Sequence, residues 1–234
     1  MKAMYHLLKL ELKKASLGWY WKGAIVANFL IVLTVYALMF MGKFEVEDIP
    51  FHTLEEGFFI SGLFVRAVFI VFAAVLLAKL VIEEYKNKTI HILFVLPVQR
   101  KKLLSAKLAL VFLLTFVTIL CSDLVVSAAL WFGNSVLQVV DQTVTFAMVI
   151  EKAGSSGMYA VAAAGTSLIP LYFGMRQKSV PATIVSSIII VALISSYNPG
   201  FSIATIIYIP FTLAVIGLCI AAMVVHSVEK TDVL

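Results

Sequence analysis

The length of the apolar runs constrains this chain more than any other feature. A hydrocarbon core about 30 Å thick takes roughly 20 apolar residues in a helix. Six runs approach or exceed that length: 23–41, 58–82, 108–132, 157–175, 180–196 and 203–225. Apolar residues make up 62% of the 234 and charged residues only 13%. Soluble domains use about 45–50% apolar residues, so the surplus points to a lipid surrounding. The expected fold is an all-α membrane protein, a single transmembrane domain over 1–234 with six spans. The fifth run is short and ends at Tyr197-Asn198-Pro199-Gly200, a strong turn signal, where a re-entrant or broken hairpin stays open.

Charge sets the direction of threading. Of the 18 basic residues, 15 fall on one side: in the N-terminal segment, at the end of the second run (Lys79), in the gap after it, in the gap after the fourth and in the C-terminal tail. Only Lys43 and Lys152 fall on the other, and Arg66 lies inside a run. The positive-inside rule then places both termini in the cytoplasm of a multi-pass cell-membrane protein. The first outer loop is acidic, with Glu45, Glu47, Asp48, Glu55 and Glu56. The formal charge of +5 does not indicate nucleic acid, because the basic residues gather on no single folded surface.

Met4, Leu8, Leu12, Ala15 and Trp19 share one helical stripe, with Lys2, Lys9 and Lys13 towards the other face. Residues 1–22 are therefore expected to lie as an interfacial helix against membrane lipid. No cleavable signal peptide is expected, since a long amphipathic stretch precedes the first run. Cys121 and Cys219 both sit within apolar runs and are expected to be buried packing residues.

The longest gap, 83–107, contains an apolar segment, Ile90 to Leu96, far too short to span and stopped by Pro97. Such a segment needs either the membrane surface or a partner to cover it. The order of features here resembles the first cytoplasmic loop of type-2 ABC transporter permeases: Glu83 or Glu84 at the end of a span, Lys88-Thr89, the apolar segment, Pro97, basic Arg100 to Lys102, and Lys107 opening the next span. Lys88 departs from the Gly that many relatives carry before the Thr. The resemblance implies a coupling helix between spans 2 and 3 that seats in a cytoplasmic ATPase subunit, with Glu83, Glu84, Thr89, Ile90, Ile92, Leu93, Phe94 and Leu96 as coupling residues. It also implies a second permease subunit, identical or related, because one six-span subunit forms half a pathway in that family. The expected function is ATP-driven export of an unidentified substrate, with a peptide or antimicrobial compound as the family-based expectation.

No Gly-x-x-x-x-Gly-Lys-Ser/Thr occurs, so ATP and Mg are expected in the partner ATPase, with no cofactor, metal or catalytic residue in this chain. Two readings compete. A secondary transporter or channel would need no ATPase, but the chain lacks repeated halves or paired broken helices. Glu83-Glu84-x-x-x-Lys88 also approaches the Glu-Glu-x-x-x-Arg pattern of CAAX-type membrane proteases, whose chemistry needs buried histidines. Here His6, His52 and His91 lie in non-spanning segments, and His226 lies at a span's cytoplasmic end.

Arg66 and Asp123 are the charges deepest in apolar runs and require partners or water there. Arg66 lies eight residues inside the second run and Asp123 eight residues before Trp131 in the third, each about 12 Å along a helix. Matching depth leads to an expected salt bridge between them. Gly157, Ala160, Ala164, Gly165 and Pro170 mark the fourth run for close helix packing and a kink. The phenylalanines are expected to face lipid or other helices.

Overall fold

A computed structural model describes residues 12, 18–44, 54–87, 100–137, 146–195 and 208–227. Among these every regular element is a helix. The helices are α1 (Gly18–Phe44), α2 (Leu54–Leu77), α3 (Glu83–Lys86), α4 (Arg100–Leu137), α5 (Phe146–Thr166), α6 (Pro170–Gln177), α7 (Val180–Ile194) and α8 (Tyr208–Ser227). Among the described residues five stretches are long and apolar enough to cross a membrane: Gly18–Phe40, Leu54–Lys86, Lys101–Ser135, Ile150–Gln177 and Tyr208–Ser227. At 15 residues, α7 measures about 22 Å and falls short of the hydrocarbon thickness. The coupling segment at 90–96, most of the N-terminal amphipathic stretch and the turn at 197–200 lie outside the described residues.

Several helices exceed the apolar runs that mark them. α4 begins within the basic cluster and reaches 38 residues, about 57 Å, well beyond one bilayer core. α2 passes through a π-helical Ala78–Ile82 into α3, the wider turn closing through the Glu83 N–H to the Ala78 carbonyl. Glu55 and Glu56 occupy the first turn of α2, where carboxylates favour the positive end of the helix dipole.

The fourth run divides where Pro170 removes an N–H. α5 stops at Thr166, and Leu168, Ile169, Leu171 and Tyr172 donate to carbonyls three residues back, so the backbone tightens through the break. Pro170 then starts α6 at a position that needs no donor. Lys178 ends α6 in the left-handed conformation with φ of 46° and its N–H on the Gly174 carbonyl. Pro181 falls in the first turn of α7.

Contacts group the chain into two compact units. In Phe69–Phe116 with Val161–Leu234, small residues allow backbones to meet. A Cβ on Gly165 would lie 2.7 Å from the Ala214 Cβ, and one on Gly217 would strike the Gly165 carbonyl oxygen. A Cβ on Gly174 would strike the Thr183 hydroxyl and crowd Ile82. The other unit is Gly18–Val68 with Val117–Ala160. There α1 and α4 are joined by Tyr20 to Thr118 (3.0 Å), Asn28 Nδ2 donating to Ser122 Oγ (2.9 Å) and Tyr36 donating to the Ala129 carbonyl (3.0 Å). Their numbers rise together, so the two helices run parallel, as the first and third crossings of an alternating chain must.

Cys121 and Cys219 are exposed rather than buried. A thiol behaves as a small hydrophobe, and on a helix apolar all round the lipid-facing surface suits it as well as the packed one.

A charged cavity as the candidate functional site

Within the Gly18–Val68 and Val117–Ala160 unit lies a cavity of about 240 Å3. α2 supplies Phe58, Phe59, Gly62 and Arg66, spaced so that 58, 62 and 66 share one face. α4 supplies Asp123, and α5 supplies Lys152, Ser156 and Tyr159 on another i, i+4, i+7 face. Parallel pairing recurs here. Phe58 meets Lys152 and Arg66 meets Tyr159, so α2 and α5 run in the same direction.

Arg66 and Asp123 line this one cavity, but the direct ionic partner of Asp123 is Lys152, with Nζ 3.4 Å from Oδ2. The Ser156 hydroxyl donates to the same Oδ2, and Lys152 also donates to the Phe58 carbonyl at 3.0 Å. The expected simple Arg66–Asp123 bridge is thus corrected to a group of three charges. Lys152 takes the carboxylate because α5 begins at Phe146, which puts Lys152 inside the helix rather than in an outer loop. Arg66 places its guanidinium over the Tyr159 ring, 4.2 Å from the centroid, and 5.8 Å from that of Phe59. Phe58 and Phe59 therefore wall a polar cavity, where lipid or helix contacts were expected.

Gly62 makes the convergence possible. A Cβ there would lie 3.4 Å from Asp123 Oδ1, 3.5 Å from Lys152 Nζ and 3.7 Å from Arg66 Nη2. All three charged groups gather over a position with no side chain of its own.

The second cluster closes the ends of the 88–99 gap. Lys107, only 3% exposed, pairs with Glu84 and donates to the Leu80 carbonyl at 3.0 Å, inside the π-helical segment. Glu83 is exposed. Thr89, Ile90, Ile92, Leu93, Phe94 and Leu96 lie outside the described residues. Sequence spacing brought Glu84 and Lys107 into one loop pattern but carried no signal that they touch.

Five crossing-length helices among the described residues, three of which line a cavity holding charges, define a multi-pass membrane protein. Residues 7–192 match the family model for the ABC-2 family transporter protein, and the chain belongs to that family as an ABC-2 type permease. It is also 46% identical over 227 residues to the uncharacterized protein YcbO of Bacillus subtilis (strain 168), covering 97% of this chain and 99% of the relative. No solved structure matches.

Proposed function

We propose that this chain is the membrane-spanning subunit of an ATP-driven exporter, crossing the membrane six times with both termini cytoplasmic. It forms one transmembrane domain and works as a pair of permeases, identical or related, with cytoplasmic ATPase subunits that hold ATP and Mg. The Lys107–Glu84 pair is the observation that carries the reading. It fastens the extension of α2 to α4 beside the gap that holds 90–96, so force applied to that segment enters two long helices together. α4, at about 57 Å, is long enough to cross the bilayer and project into the cytoplasm. The concentration of basic residues around the same gap supports its cytoplasmic placement.

In this reading Ile90 to Leu96 is the coupling helix, its apolar face covered by the ATPase, with Glu83 exposed beside it. The export cargo is a peptide or antimicrobial compound on the family expectation alone. The test is co-expression with the ATPase subunits and capture through a tag on this chain. Ile92→Asp with Phe94→Asp should abolish recovery of the ATPase and its stimulation while membrane insertion stays intact. Unchanged recovery of the complex would overturn the proposal.

A further inference from the structure

We propose that the cavity between α2, α4 and α5 binds the headgroup of an amine-bearing phospholipid, with the phosphodiester on Arg66 and the ammonium at Glu55 and Glu151. The placement rests on these helices standing in the bilayer and not on the ATPase partnership.

Arg66 is the anchor. Its guanidinium lines the cavity and is held flat against Tyr159. Among the described residues no carboxylate lies within ion-pair distance of it and no acceptor bonds to it, since Asp123 is engaged by Lys152 and Ser156. A planar fork of N–H donors, oriented by stacking and without an acceptor among the described residues, is a preorganised receptor for an oxyanion.

The lining carries both signs of charge, which suits a zwitterionic headgroup. Arg66, Lys152 and Asp123 meet between the helices, and Glu55 and Glu151 add two more carboxylates. A phosphodiester supplies one negative charge. At the same cavity Glu55 and Glu151 are exposed, so a headgroup with its phosphate inward presents an ammonium to carboxylates.

Size and surroundings favour a lipid over a larger soluble ligand. About 240 Å3 lies below the 300–1,000 Å3 typical of drug-sized sites. Next to the cavity residues in sequence, Leu124, Val125, Ile150 and Met158 expose apolar side chains, each at least 48% accessible. Acyl chains can lie on those surfaces while the headgroup enters the cavity.

The test is native mass spectrometry of the purified, delipidated full chain in neutral detergent. It is titrated separately with phosphatidylethanolamine, phosphatidylglycerol and phosphatidylcholine. The parent should bind one phosphatidylethanolamine in preference to the other two. Arg66→Met should weaken this at least about tenfold, the scale of a lost charged hydrogen bond. The double change Glu55→Gln with Glu151→Gln should leave phosphatidylglycerol binding intact and erase the preference. Both glutamates are exposed, so the double change stays decisive even where Arg66→Met lowers folded yield. Equal binding of all three lipids by the parent would overturn the proposal, as would an unchanged preference in the glutamine variant. Displacement of the lipid by soluble phosphoethanolamine or inorganic phosphate at comparable concentration would reassign the site to a free anion. No ATPase enters this assay, so its failure is separate from failure of the exporter reading.

Discussion

Removing each charge of the α2–α4–α5 cavity in turn should produce three unequal losses of stability. Asp123 pairs with Lys152 at 3.4 Å, where two unit charges attract by about 5 kcal/mol at an effective dielectric near 20, before desolvation is subtracted. Asp123→Leu leaves two cations without the carboxylate that pairs directly with Lys152, and should cost about 3–5 kcal/mol. That is a large share of a total of about 5–15 kcal/mol. Arg66→Met leaves the matched Lys152–Asp123 pair in place. It loses a cation–π contact worth about 0.5–2 kcal/mol while ending the desolvation of a guanidinium between helices, so its net cost should be about 1 kcal/mol or less. Lys152→Met should fall between, because Arg66 shares the cavity and partly compensates Asp123. In double-mutant cycles the Asp123–Lys152 coupling should reach about 1–3 kcal/mol and exceed the Asp123–Arg66 coupling. Folded fraction after heating in detergent, read by fluorescence-detected size exclusion, gives the ranking, and chemical denaturation gives the couplings. Suppose instead that Arg66→Met is as damaging as Asp123→Leu, and that only the Arg66→Met and Asp123→Leu combination recovers. Arg66 would then be the direct partner, and the helix register drawn here would be wrong.

How much of this cavity the sequence discloses depends on contrast. Arg66 and Asp123 stand out because each interrupts an apolar run, and a charge there needs an explanation. Lys152 does not, since Gly154, Ser155, Ser156 and Gly157 dilute the hydropathy and make the fourth run appear to begin at Gly157. α5 nonetheless starts at Phe146 and carries Lys152 inward, with open space at Gly154 and at Gly157, where close packing was expected. Pro170 announces the break between α5 and α6, because its missing donor acts locally. The π-helical Ala78–Ile82 has no such marker, as one wider turn requires no particular side chain. The outward placement of Cys121 and Cys219 was illegible for another reason. In helices apolar on every side, no stripe distinguishes the packed face from the lipid face.

The helix-packing and coupling contacts can be tested by single substitutions. Gly217→Ala should lower the thermal midpoint, since the new Cβ meets the Gly165 backbone, and overpacking of this kind costs about 1–3 kcal/mol. Gly154→Ala, with no atom within 4 Å of the added Cβ, should leave the midpoint unchanged or raise it; a fall matching that of Gly217→Ala would refute the packing argument. Beside the 88–99 gap, Glu84→Gln should reduce permease-stimulated ATP hydrolysis more than Glu83→Gln does, because Glu84 pairs with buried Lys107 whereas Glu83 is exposed. The strongest form of that argument is Lys107→Met, which deprives both Glu84 and the Leu80 carbonyl of a buried donor and so loosens the π-helical end of α2 from α4. Assembly with the ATPase should persist while its stimulation falls, and full stimulation in the Lys107→Met complex would show that the fastening plays no part in coupling.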